Sequence, residues 1–127
     1  MTPTHDEIRS AARTLLQGAR ERFEEGRSQY ICAAISVVKD NHVAAARSAL
    51  LRGCLSATEC NHVIDVMNAA RDALHNRILL ELQGYTSLTS WVLNNGHLPR
   101  GLRARELMDP MRATRLAWIN FMLENWV

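Results

Sequence analysis

The stretch SATECNHVIDVMNAARDALHNRILLELQG, residues 56–84, is the longest periodic run in the chain. Val63, Met67, Ala70, Leu74, Ile78 and Leu82 recur at steps of three or four residues, which puts them on one face of a helix. Ser56 and Glu59 have the spacing of a capping box, in which serine hydroxyl and glutamate carboxylate reciprocally satisfy the backbone N–H groups at a helix start. Gly84 follows the last apolar step and can end the run. A strand would need apolar residues at every second position. The run therefore predicts one helix long enough to cross a whole domain.

The neighbouring segments read the same way. Thr4 and Glu7 form a second capping box, Asp6 and Glu7 suit the positive end of a helix, and Ile8, Ala12, Leu15, Ala19 and Phe23 make its stripe. Gly26 supplies the stop, so the first helix is expected over residues 5–25. Ser28 can cap a second helix, QYICAAISVVKD, with Ile31, Ala34, Ile35 and Val38 in line. Asp40 or Asn41 is then read as the cap of a third piece, HVAAARSALLRG, which Gly53 ends. Ser87 caps a short helix carrying Leu88, Trp91 and Val92, stopped by Asn95 and Gly96. Residues 97–108 are irregular, and Asp109 with Pro110 opens a last helix. Strand alternation, repeats and linkers are lacking, so the expectation is all-α: a compact single-domain bundle of about five to six helices over residues 1–127.

The composition, 47% hydrophobic and 22% charged, is that of an ordinary globular protein. No apolar run approaches the roughly 18 residues that span a bilayer, and the acidic start MTPTHDEIRS does not read as a signal peptide. A cytoplasmic protein with no membrane partner is expected. Cys32, Cys54 and Cys60 are an odd set in a chain large enough to fold without staples, and are expected to be reduced, buried small hydrophobes. Cys54, Cys60 and His62 lack the paired short spacings of a structural zinc site, so no metal is expected. His5, His42, His62, His75 and His97 are scattered and pair recognisably with no nucleophile.

Catalytic motifs are missing too. The chain has no glycine-rich phosphate loop, no G-x-S-x-G, no H-E-x-x-H and no carboxylate pair in an apolar setting, and Glu24 and Glu25 read as solvated charge. A non-enzymatic protein without a cofactor is the expectation.

Charge is more informative. The net charge of +2 is small, but residues 1–99 hold ten basic and ten acidic side chains. All the excess falls in residues 100–127, where Arg100, Arg103, Arg105, Arg112 and Arg115 face Glu106, Asp109 and Glu124. In the terminal segment RATRLAWINFMLENWV, residues 112–127, a helical wheel gathers Met111, Leu116, Trp118, Ile119, Met122, Leu123 and Trp126 on one half, with Asn120 and Glu124 opposite. Arg112 and Arg115 fall inside the apolar half but near the helix start, where unpartnered N–H groups and the dipole favour an anion. Three readings stand: the arginines clasp acids of their own chain, such as Asp65, Asp72 or Glu81, they bind an external phosphate or carboxylate, or they belong to an interface with a partner protein. On the second reading Trp118 adds a cation–π surface, and Arg100, Arg103 and Arg105 extend the positive field. The candidate ligand-binding residues are thus Arg112, Arg115, Trp118, Arg100, Arg103 and Arg105.

The segments YICAAI (30–35), SLTSWVLNNGH (87–97) and RATRLAWINFM (112–122) together resemble a loose set of small helical proteins encoded by phages and prophages. Those proteins similarly place an aromatic-Ile/Leu-Cys motif early, an S/T-L-x-x-W segment in the middle and an R-L-x-W-I/L helix at the end. What the resemblance implies is a binding protein that counters host defence inside the host cytoplasm. Its partner would be a nucleotide second messenger held in solution, or a host defence protein such as a CRISPR complex. The alternative is a nucleic-acid-binding regulator using residues 97–115, although a reading helix would carry polar residues where the last helix is apolar. The half-wheel of large apolar residues, with Phe121 on a further sector, also leads us to expect a homodimer or higher oligomer.

Overall fold

A computed structural model describes residues 2–25, 31–81, 116 and 118–125, with the side chains of 78–81 outside the description. Among the described residues all regular structure is helical: α1 (His5–Glu24), α2 (Ile31–Leu51), α3 (Ala57–Glu81) and a terminal helix α4, described at 116 and 118–125. The expected short helix at 88–92, the irregular 97–108 segment and the Asp109–Pro110 start lie outside the described residues.

Both capping boxes form. At α1 the Glu7 N–H donates to Thr4 Oγ1 at 3.1 Å while the Thr4 N–H donates to Glu7 Oε1 at 3.0 Å. At α3 the Glu59 N–H donates to Ser56 Oγ at 3.0 Å and the Ser56 N–H to Glu59 Oε1 at 3.0 Å. Each box satisfies two donors that the helix itself cannot.

One expectation is corrected. The pieces read as a second and a third helix are a single helix of 21 residues, α2. Asp40 and Asn41 are exposed within it, and Asp40 pairs with Lys39 at 2.6 Å. A capping residue starts a helix only if the chain before it leaves helical geometry. No glycine or proline lies between residues 31 and 51 to make that happen, and the alanines at 44–46 and 49 favour continuation. The helix instead ends where Gly53 adopts φ 75°, in the left-handed region. The Gly53 N–H donates to the Leu50 carbonyl at 3.0 Å and the Cys54 N–H to the Ala49 carbonyl at 2.8 Å. This pair of bonds is a Schellman motif, which retires two carbonyls the helix leaves over.

The helices alternate in direction. Val38 of α2 sits over Gly18 of α1, and His75 late in α3 bonds to the Cys32 backbone early in α2, so α2 runs against both. Glu7 of α1 meets His62 of α3, near the starts of both helices, so these two run together. Arg13 reaches Leu123 and Arg20 reaches Asn120, so α4 runs against α1. The arrangement is up, down, up and finally down.

One cluster unites the four helices. Ala12, Leu15, Leu16, Ala19 and Phe23 from α1 meet Ile31, Ala34, Ile35 and Val38 from α2, Val66, Ala70 and Leu74 from α3, and Trp118, Ile119, Met122 and Leu123 from α4. Ile8, Met67 and Leu116 pack at its margin. The stripe expected on α1 is thus recovered and widened by Ala11 and Leu16, since a helix in a bundle needs about a third of its circumference apolar. On α3 the buried line runs through Cys60, Val66, Ala70 and Leu74, with Val63 and Met67 only half-buried. The expectation for the cysteines holds for Cys60 alone, because Cys32 and Cys54 are exposed. Cys54 lies in the turn beyond α2, and Cys32 is on the solvent side of a helix whose inward positions are already taken by Ile31, Ala34 and Ile35. No helix among the described residues is long and apolar enough to cross a membrane.

Candidate functional site

Of the six residues singled out as ligand-binding, Trp118 is described; Arg100, Arg103, Arg105, Arg112 and Arg115 lie outside the described residues. Trp118 is only 7% exposed and belongs to the hydrophobic cluster. The wheel drawn for the last helix is reproduced over its described part. Trp118, Ile119, Met122 and Leu123 are buried, while Asn120, Phe121, Glu124 and Asn125 face out. The apolar half of α4 is therefore consumed by the bundle, immediately after the arginine pair in sequence.

Two arginines of α1 hold this helix, and the sequence reading did not single them out. Arg13 Nη1 donates to the Leu123 carbonyl at 3.2 Å. The Arg13 guanidinium thereby ties α1 to the backbone of α4 across the packed face. Arg20 Nη1 donates to Asn120 Oδ1 at 3.2 Å, one turn earlier. Within α4, Asn125 Nδ2 donates to the Phe121 carbonyl at 3.0 Å. The available signal was the spacing of Arg13 and Arg20, seven residues and about two turns apart on one side of α1.

The acids offered as internal partners of Arg112 and Arg115 are partly accounted for. Asp72 is engaged by its neighbour Arg71, whose Nη2 lies 3.0 Å from Asp72 Oδ1. Asp65 is exposed on α3, and the side chain of Glu81 lies outside the described residues.

Two histidines of α3 are in polar settings within the bundle. His62 Nε2 lies 2.5 Å from Glu7 Oε2, while its buried Nδ1 meets no partner. Glu7 therefore caps α1 through one oxygen and ties α1 to α3 through the other. The Thr4 N–H, then His62, then the Thr4 hydroxyl hold its carboxyl below the usual carboxylate value, because each bond stabilises the charged form. His75 is half-buried, and its Nε2 has no hydrogen-bond partner. Burial first, and the nearby Arg71 second, push its pKa down, outweighing the bond to the Cys32 backbone and the charge of Asp72. Neither histidine sits with a second and third ligating group: among the described residues no cluster of three His, Cys, Asp or Glu side chains is placed to hold a metal ion. No protein family, curated protein or solved structure matches the chain.

Proposed function

We propose that this chain is a small non-enzymatic binding protein of phage type that counters host defence by sequestering a phosphate-bearing nucleotide signal. The observation that carries the reading is the distribution of charge. Residues 100–115 bear five arginines against Glu106 and Asp109, whereas residues 1–99 are balanced at ten against ten. Guanidinium groups bind phosphate through paired, charge-assisted hydrogen bonds, and five in sixteen residues give a strong local preference for anions. The packing of α4 is consistent with this division of labour. Its inward face carries Trp118, Ile119, Met122 and Leu123 into the core, and it follows the arginine-bearing segment directly in sequence. The phage context and the defence target come from the resemblance at residues 30–35, 87–97 and 112–122.

The test is calorimetric titration of the purified chain with a panel of cyclic di- and trinucleotides. Saturable heat with at least one of them is expected, and silence with all of them removes the reading. A salt-dependent mobility shift with random duplex DNA, accompanied by that silence, would instead identify a nucleic-acid binder. Self-association belongs to the same proposal: Phe121 on the outer face of α4 is 52% exposed, and a second copy would cover it. Light scattering is expected to give at least about twice the chain mass of 14.3 kDa, and a monomer at micromolar concentration contradicts it.

A further inference from the structure

The outward faces of the helices differ in kind. α1 turns Arg9, Gln17, Glu21 and Glu24 to solvent, as a bundle helix does. The outward line of α2 runs instead through Ala33, Val37, Ala44 and Leu51, with Val37 36% and Leu51 88% exposed. Asp40 and Arg47 are the exposed carboxylate and guanidinium of this helix, and Asn41 and Ser48 are exposed beside them.

At about 100° and 1.5 Å per residue these positions form a palindrome about Ala44. Val37 and Leu51 lie one on each side of it along the helix, within about 20° of its direction. Asp40 and Arg47 lie about 40–60° round to one flank, before and after Ala44, and Asn41 and Ser48 lie as far round to the other. A twofold axis beside Ala44, crossing α2 at right angles, brings in a second α2 antiparallel and keeps each flank on its own side. Val37 then lies over the partner's Leu51, Asp40 beside the partner's Arg47 and Asn41 beside the partner's Ser48, each contact occurring twice. Opposite charges meet, and alanine at the axis lets the helices approach closely. Asp40 Oδ1 is 2.6 Å from Lys39 Nζ, yet the Asp40 side chain is 67% exposed and keeps its second oxygen for a guanidinium.

We infer that α2 pairs antiparallel with α2 of a second copy about this axis. The inference rests on the self-association proposed above and names its surface, on a different helix from Phe121; it needs no ligand.

Disulfide trapping in the full chain tests the axis. With Cys32 and Cys54 replaced by serine, Ala44→Cys is expected to give a linked species of twice the 14.3 kDa chain mass on mild oxidation, because a residue at a twofold meets its own copy. Gln17→Cys, also exposed but on α1, is expected to remain unlinked. Charge exchange tests the register. Asp40→Arg and Arg47→Asp each set like charges together twice per dimer and are expected to weaken association at least about tenfold by sedimentation. The double variant is expected to return to within about threefold of the native chain. Helical circular dichroism at the native level in each variant separates lost pairing from lost folding. A double variant no better than the singles, or linkage at Gln17→Cys equal to that at Ala44→Cys, overturns the inference. A dimer that survives every α2 variant and dissociates with Phe121→Ser overturns it and spares the proposed self-association, whereas a monomeric native chain overturns both. Silence in the nucleotide titrations touches neither.

Discussion

Gly18 lies in the interior of α1, where glycine is a poor helix former, and its replacement by alanine is expected to destabilise the fold all the same. A Cβ built there would lie 2.7 Å from Val38 Cγ1, 2.9 Å from Cγ2 and 3.4 Å from Cβ. Carbon atoms pack at about 3.5–4.0 Å, so the new methyl group would be roughly 0.8 Å too close. Val38 cannot swing aside, because a valine in a helix has one strongly preferred rotamer and this one is only 8% exposed. The α1–α2 spacing must widen instead, and overpacking of that kind costs about 1–3 kcal/mol. Against it stands the gain of about 1 kcal/mol in helix propensity from Gly to Ala. The net expectation is a loss of about 1 kcal/mol, or roughly 2–6 °C in the thermal midpoint for a chain of this size. Urea denaturation followed by circular dichroism measures it. The decisive comparison is the same substitution in a Val38→Ala background, where the obstacle is gone and Gly18→Ala should stabilise by about 1 kcal/mol. A coupling of about 1–3 kcal/mol between the sites is expected. If Gly18→Ala stabilises equally in both backgrounds, the close approach of α1 and α2 at this point is wrong.

Gly53→Ala should also destabilise, for the opposite reason: nothing lies within 4 Å of the added Cβ, so the cost is backbone strain at φ 75° alone, about 1–2 kcal/mol by urea denaturation. Gly53→Asn should recover part of it, since asparagine tolerates the left-handed region, and equal losses for both would count against the turn. Stability should fall with acid in two windows. His75 has a lowered folded pKa, so the unfolded chain takes up the proton first, and its contribution declines as pH falls from about 6.5 toward the folded value. Glu7 and Glu59, lowered chiefly by the Thr4 and Ser56 backbone N–H groups, contribute above their ordinary value of 4.5 and lose that contribution as pH falls through their folded values. Denaturation midpoints across pH should lose the upper window in His75→Gln and weaken the lower one in Glu59→Gln; an upper window that survives His75→Gln would assign it to another group.

What could be read from sequence was decided by how local the signal is. Thr4 with Glu7, and Ser56 with Glu59, announce helix starts within four residues, and both boxes form. Gly53 ends α2 as expected, because only a residue at ease with positive φ closes that turn. Asp40 and Asn41 misled for the same reason that the boxes succeeded: they are capping residues by type, but a cap needs a break before it, and α2 has none. The long-range features were beyond such reading. Gly18 against Val38, Glu7 against His62, and Arg13 and Arg20 against α4 are 20, 55 and about 100 residues apart in sequence, and follow only from how the helices stack. The exposure of Cys32 and Cys54 is a matter of the same kind, since a cysteine's burial depends on which side of its helix the neighbours occupy. As to the candidate site, the wheel correctly divided Trp118, Ile119, Met122 and Leu123 from Asn120 and Glu124, and the residues that follow the arginine pair accordingly pack into the core.

The most direct test of the anion-binding claim compares the native chain with Arg112→Gln/Arg115→Gln in titrations against the cyclic nucleotide that binds best. Each charge-assisted contact to a phosphate contributes about 1.5–3 kcal/mol, so losing both is expected to weaken binding at least a hundredfold while the denaturation midpoint changes little. Equal affinity of the two proteins for that nucleotide would contradict the account.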